Sequence, residues 1–203
     1  MTMITREKTK EFIDRAYETA CKHGFHDEEK SVSHWMMLVV SEIGEMVEAD
    51  RKNRHADLSR FKREYEKYPN LVDEKTRFVT SFEKYVKDSL EDELSDVCIR
   101  LYDFCGAFGV ESEDFSLYLN GDFVYTWSEE FGSESVCEQC YELVQCVCEI
   151  SGDSSVYEIS EAVSAALLYC FCFAQHHGID LERHIELKMR YNESRPVRHG
   201  KKY

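Results

Sequence analysis

The chain places only two prolines, Pro69 and Pro196, and nine glycines across 203 residues, and this scarcity of helix breakers constrains it more than any other feature. Proline removes a backbone donor and clashes with the turn before it, so stretches rich in Glu, Lys, Leu, Met and Ala are left to run as long helices. The expected fold class is all-α, a helical bundle with enough chain over 1–203 to bury a core as a single domain.

Hydrophobic spacing marks the helices. Residues 5–22 carry Phe12, Ile13, Ala16, Tyr17 and Ala20 at helical intervals behind Thr5, a candidate N-cap. "HGFHDEEK" interrupts the pattern, and Ser31 or Ser33 can cap a second helix running through Trp35 to about Arg54. Residues 55–75 are charged, contain Pro69 and read as an exposed segment with one short helix. A third long helix is expected over 80–109, with Leu90, Leu94, Val97, Leu101, Phe104 and Phe108 as its core stripe and Gly109 as its stop. Residues 111–133 lose the period and contain Gly121 and Gly132, so they read as a connector between a 1–110 half and a 134–203 half. Helices over 134–150 and 155–177 follow, and a last one runs until Pro196. "LYDFCGAFGVESEDF" and "LYCFCFAQHHGIDLERH" echo one another about Gly109 and Gly178, a candidate duplicated hairpin that sets Ala162 and Ala165 opposite Glu93 and Asp96.

A formal net charge of -15 excludes a general nucleic-acid surface, because phosphate binding needs clustered Lys and Arg. Basic residues nevertheless gather at the end: Lys188, Arg190, Arg195, Arg198, Lys201 and Lys202 stand against Glu193 alone. An acidic body with a basic tail suits a site that holds a divalent cation and a polyanion together, and a solvated terminus is the plainer reading. No run has the layout of a signal peptide, and the longest apolar stretch, "AALLYCFCFA", is too short to span a bilayer. The expectation is a soluble cytoplasmic protein with no membrane partner and with its nine cysteines reduced. "CEQC" at 137–140 and the His23/His26 pair lack the tetrahedral spacing of a zinc site, and free cysteines pack as small hydrophobes.

Chemistry concentrates in two acid pairs. Positions three apart share a helix face, so Glu42 points with Glu45 and Glu93 with Asp96. In the second helix the stripe Met36, Val40, Ile43 and Val47 faces a core and leaves Glu42 and Glu45 beside it; Glu93 and Asp96 border the other stripe in the same way. Packing the two helices together brings four carboxylates close, and like charges at that distance need protons or cations. All-oxygen ligands favour Mg2+, with Mn2+ as a second choice. The plainer reading is a solvated face with partners such as Asp96 with Arg100 and Glu48 with Lys52. Glu158 and Glu161 repeat the spacing without downstream acids and read as a surface face. A di-iron bundle would need Glu three residues before a histidine, a pattern the sequence lacks.

"SEIGEMVEADR" followed by "EDELSDVCIRLYDFCGAFGVE" resembles the ExxE and ExxD motifs of MazG-like, all-α nucleotide pyrophosphohydrolases, and "KMRYNESRPVRHGKKY" resembles their C-terminal Lys/Asn/Arg segment. The resemblance implies hydrolysis of a nucleoside triphosphate to the monophosphate and pyrophosphate. It assigns Glu42, Glu45, Glu93 and Asp96 to Mg2+ binding and catalysis, and Lys188, Asn192 and Arg195 to the triphosphate or sugar, with Arg198, Lys201 and Lys202 as weaker candidates. Two departures stand out: the long gap between Glu45 and Glu93, which could alter the lid over the nucleotide, and a helical pair beyond the minimal four-helix unit. The competing expectation is a catalytically silent bundle that binds nucleotide or a protein partner. Trp35 could stack on a base, although a core or interface role is the commoner one, and a homodimer is the default assembly.

Overall fold

The computed structural model describes residues 5–110, 128, 131–132 and 134–197. Among them are eight α-helices and no strand: α1 (Arg6–Lys22), α2 (Val32–Arg51), α3 (Leu58–Tyr65), α4 (Glu74–Tyr85), α5 (Leu90–Phe108), α6 (Val136–Cys148), α7 (Val156–His176) and α8 (Leu181–Ser194). Most of the 111–133 connector, and Arg198, Lys201 and Lys202, lie outside the described residues.

Side-chain oxygens start the helices. Thr5 and Ser31 accept the first free amides of α1 and α2, and Ser135 and Ser155 form reciprocal capping boxes with Glu138 and Glu158. Three helices end the same way. A glycine at positive φ (Gly24, Gly109, Gly178) follows the last turn, and the next residue's N–H donates five residues back: Phe25 to Ala20, Val110 to Cys105 and Ile179 to Ala174.

The expected helix over 80–109 is two helices. Asp88 takes φ +58, a conformation that cannot continue a helix, and Ser89 then accepts the N–H of Asp92 to begin α5 afresh. Below that break the charged segment folds into the α3–α4 hairpin. Asp57 N–H donates to the Tyr85 carbonyl and Leu90 N–H to the Arg54 carbonyl, so the hairpin leaves and rejoins the bundle at one place. The second helix also stops at Arg51 rather than Arg54, and Asn53 at φ +49 turns the chain away.

α5 is the hub, packing on α1, α2, α7 and α8, while α6 packs on α2 and α7. One core joins Phe12 of α1, Val39 and Met46 of α2, Leu94, Val97 and Leu101 of α5, Leu143 of α6, Val163 and Leu167 of α7, and Ile185 of α8. Burying each such side chain stabilises the fold by about 1.5–3 kcal/mol relative to exposure. A second core, Phe61, Phe78, Phe82 and Val86 with Leu187 and Tyr191, fastens the hairpin to α8, and Phe82 stacks on Tyr191 at 4.6 Å. By length and composition α7 can cross a membrane, which its "AALLYCFCFA" segment alone cannot, but Val163, Ala166, Leu167, Cys170 and Phe173 are buried in the bundle.

Burial on α2 differs from the expected stripe. Helices α5 and α6 flank it on two sides, so Trp35, Met36, Val39, Ile43 and Met46 are buried while Val40 and Val47 are only partly covered. The shift moves Glu42 into the buried arc. Trp35 is a core residue, stacked on His26 at 5.0 Å.

Candidate functional site

Close packing of α2 on α5 brings three of the four acids together. Glu42, Glu45 and Glu93 each offer a carboxylate oxygen, and these lie within 4.8 Å of one another. Glu42 (4 % exposed) and Glu93 (3 % exposed) are buried, whereas Glu45 reaches solvent. The set is all oxygen, a donor type suited to hard divalent cations. Burial is the main reason the Glu93 carboxyl is pushed up to about 8; Asp96, Asp92 and Glu45 add to the rise, and Lys188 opposes it.

Two basic side chains of the protein itself already reach into this region. Arg100, one turn beyond Asp96, donates through Nε to Glu42 Oε1 at 3.0 Å, with Nη2 also at 3.0 Å. Lys188 of α8 is buried, its Nζ 2.7 Å from both Asp92 Oδ2 and Asp96 Oδ2. Burial pulls the Lys188 ammonium down, but Asp96 and Asp92 together outweigh it and hold the group above its ordinary value. Burial pushes Asp92 up to about 6 against the pull of Lys188. Asp92 also accepts the Asp88 N–H at 2.9 Å, and its other oxygen, Oδ1, is buried with no hydrogen-bond partner. Asp88, Asp92 and Glu93 form a second group of converging acids. In that group Asp92 has Lys188 as counter-ion, and Asp88 is paired with Lys87 and Arg54.

Beside the acids a cleft opens between α1, α2, α5 and α8. Glu42, Asp96, Arg100 and Asp103 line one side of it, and Arg15, Asn192 and Arg195 line the other. Its apolar wall is Ala16, Ala20, Phe25, Ile99 and Met189. Asn192 Oδ1 is buried there with no hydrogen-bond partner. Arg195 packs its guanidinium 5.7 Å from the Tyr191 ring, and Arg15 is held by Glu193 at 2.9 Å. His26 Nε2 lies 2.7 Å from Asp103 Oδ1; burial raises Asp103 and the histidine contact opposes that rise. No residue of the α3–α4 hairpin lines the cleft, and the hairpin packs on α8 through α4.

Of the residues named from sequence, Glu42, Glu45 and Glu93 meet at one point, Asp96 lies beside them on Lys188, and Asn192 and Arg195 line the adjoining cleft. Lys188 is buried among acids and does not line that cleft. The expected surface pairs hold for Glu48 with Lys52 at 3.0 Å, and Glu158 and Glu161 are exposed. Asp96 and Arg100, offered as partners of one another, instead take Lys188 and Glu42. Sequence reading missed Asp92, Arg15 and Asp103 and had Arg100 only as a surface partner of Asp96. Only Asp92 carried a local signal, as the acid of the Ser-x-x-Asp capping pattern at 89–92. Comparison of the chain with protein-family models, with curated proteins and with solved structures gives no match.

Proposed function

We propose that this protein is a Mg2+-dependent (or Mn2+-dependent) nucleotide pyrophosphohydrolase of the MazG-like kind, cleaving an NTP or dNTP to the monophosphate and pyrophosphate. One observation carries the reading: three carboxylates from two helices converge beside a cleft into which Arg15, Arg100 and Arg195 bring positive charge. Acids alone are common on helices; acids next to a guanidinium-lined cleft match the two halves of a metal-bound polyphosphate.

Glu42, Glu45 and Glu93 hold the cation in this reading, with Asp96 alongside. When bound, the ion supplies charge neutralisation for the phosphate oxygens and acidifies a water ligand. The arginines neutralise the remaining phosphate charge and orient the chain of phosphates. Lys188 fixes Asp92 and Asp96 in position by pairing with both. Asp96, which borders both the acids and the cleft, accepts the proton of the attacking water as its oxygen bonds to the α-phosphorus and pyrophosphate leaves. The base and sugar sit against the apolar wall of Ala16, Ala20, Ile99 and Met189. A cytoplasmic homodimer remains part of the proposal.

Release of pyrophosphate from a panel of NTPs and dNTPs with Mg2+ tests the reading. Glu45→Gln and Asp96→Asn are expected to lower turnover at least about 100-fold while the helical circular dichroism persists. Full activity in either variant overturns the assignment. The silent-bundle alternative draws on a specific observation, that Arg100 and Lys188 already neutralise Glu42 and Asp96. Nucleotide binding in calorimetry that ignores Mg2+ and yields no product would favour it.

A further inference from the structure

The place where the α3–α4 hairpin leaves and rejoins the bundle is also a cavity. Its volume of about 360 Å3 is in the range of small-molecule sites, and Arg54, His55, Asp57, Arg60, Lys84 and Lys87 supply its polar lining. Val86 and Ser89, both buried, complete the wall. No residue is shared with the cleft beside the acids.

The charges around this cavity do not balance. Arg60 Nε lies 3.3 Å from Asp57 Oδ2, and Arg54 and Lys87 both pair with Asp88. Lys84 makes no ion pair among the described residues, and its Nζ lies 5.1 Å from the centre of the Tyr85 ring. Four permanent cations therefore meet two carboxylates. Glu91, the next acid along, is already taken by the His55 ring and the Ala56 N–H. The backbone adds to the excess. The N-caps of α3 and α5, Asp57 and Ser89, both line the cavity, so the positive ends of two helices adjoin it. The C-terminal end of α4 lies here too, but its Tyr85 carbonyl is occupied by the Asp57 N–H.

We propose that this cavity binds a small oligophosphate, a ligand with two or more linked phosphate groups, at a site separate from the cleft. The guanidinium forks of Arg54 and Arg60 suit phosphate oxygens, and Lys84 and Lys87 add point charges. Binding sets the ligand in competition with Asp57 and Asp88 for three of these groups. The rest of the surface limits its size: at a formal net charge of -15, the protein repels a polyanion long enough to leave the basic patch. That favours a small anion over a nucleic-acid strand. The site needs neither the three converging carboxylates nor a divalent cation.

Calorimetry of the full-length protein with sodium tripolyphosphate in EDTA tests the site, because without a divalent cation the acids beside the cleft repel the same probe. Arg60→Gln combined with Lys84→Gln should weaken binding about tenfold. Both side chains are exposed, so the helical circular dichroism should stay unchanged. Asp88→Asn should strengthen binding about threefold, since it frees Arg54 and Lys87 from surface ion pairs. Asparagine tolerates the positive φ of that position. Arg195→Gln, in the cleft, should leave the affinity unaltered. No binding without metal, an unchanged affinity in the double variant, no gain in Asp88→Asn, or an equal loss in Arg195→Gln overturns the site. Tighter binding of a single-stranded DNA oligonucleotide than of tripolyphosphate overturns the ligand class.

Discussion

Glu93 is the residue at which folding and the proposed chemistry oppose one another. Its carboxyl is raised from 4.5 to about 8 in the folded chain, so the folded state holds a proton that the unfolded state has released. Below about pH 4.5 both states carry the proton and the group costs nothing. Between there and about pH 8 its contribution to stability is progressively lost, and Asp92, raised from 3.8 to about 6, adds the same sign over its own interval. Urea denaturation without divalent metal should therefore show stability falling as pH rises through this range, and Glu93→Gln should flatten the fall. A cation at the acids would reverse the trend by favouring the ionised form. Lys188 has the opposite character, a charge that stabilises because its partners are buried with it. Lys188→Met leaves Asp92 and Asp96 without their counter-ion and should cost about 3–5 kcal/mol in urea denaturation at neutral pH. Adding Asp92→Asn should recover part of that loss.

At the level of elements, α5 begins where it does because Ser89 accepts the Asp92 N–H and Leu90 N–H finds the Arg54 carbonyl. Ser89→Ala should destabilise the protein by about 1 kcal/mol, measured as a shift in the urea midpoint at unchanged slope. The same cap explains what sequence reading could and could not supply. Helix type followed from apolar spacing, and of the expected stripe Leu90, Leu94, Val97, Leu101 and Phe104 are buried while Phe108 is only partly so. The break at Asp88 did not follow, because the apolar period runs on across "YVKDSLED" and only the Ser-x-x-Asp pattern marks a new start. Glu42 and Glu45 were legible as a pair, yet their unequal burial was not, since it depends on how α5 lies across α2, with Arg100 set against Glu42. The cleft positions of Arg100 and Arg15 were not legible for the same kind of reason: each gains its place from a helix distant in sequence. The echo between the ends of α5 and α7 is real in the backbone, but α1 ends with the same glycine-centred turn, so the turn does not mark a duplication.

For the whole molecule, the insertion between the two acid pairs is a module set on a continuous bundle. Asp57 N–H donates to the Tyr85 carbonyl at 2.8 Å, so replacing residues 58–85 by a short Gly/Ser linker spans almost no distance. That variant should keep a helical, cooperatively unfolding bundle, checked by circular dichroism during urea denaturation. It should also be less stable, since Leu187 and Tyr191 lose the cover of Phe78 and Phe82.

The neighbouring contact, Leu90 N–H to the Arg54 carbonyl at 3.0 Å, bears on the order of folding. Bringing α5 onto α2 means closing the whole stretch between them, and the entropy lost grows with the length of free chain. A hairpin that forms early from local contacts removes most of that free chain in advance. Its aromatic core then acts as a clasp that shortens the search by which Glu42, Glu45 and Glu93 find one another, so mutations in Phe61 or Phe78 should slow refolding more than they speed unfolding.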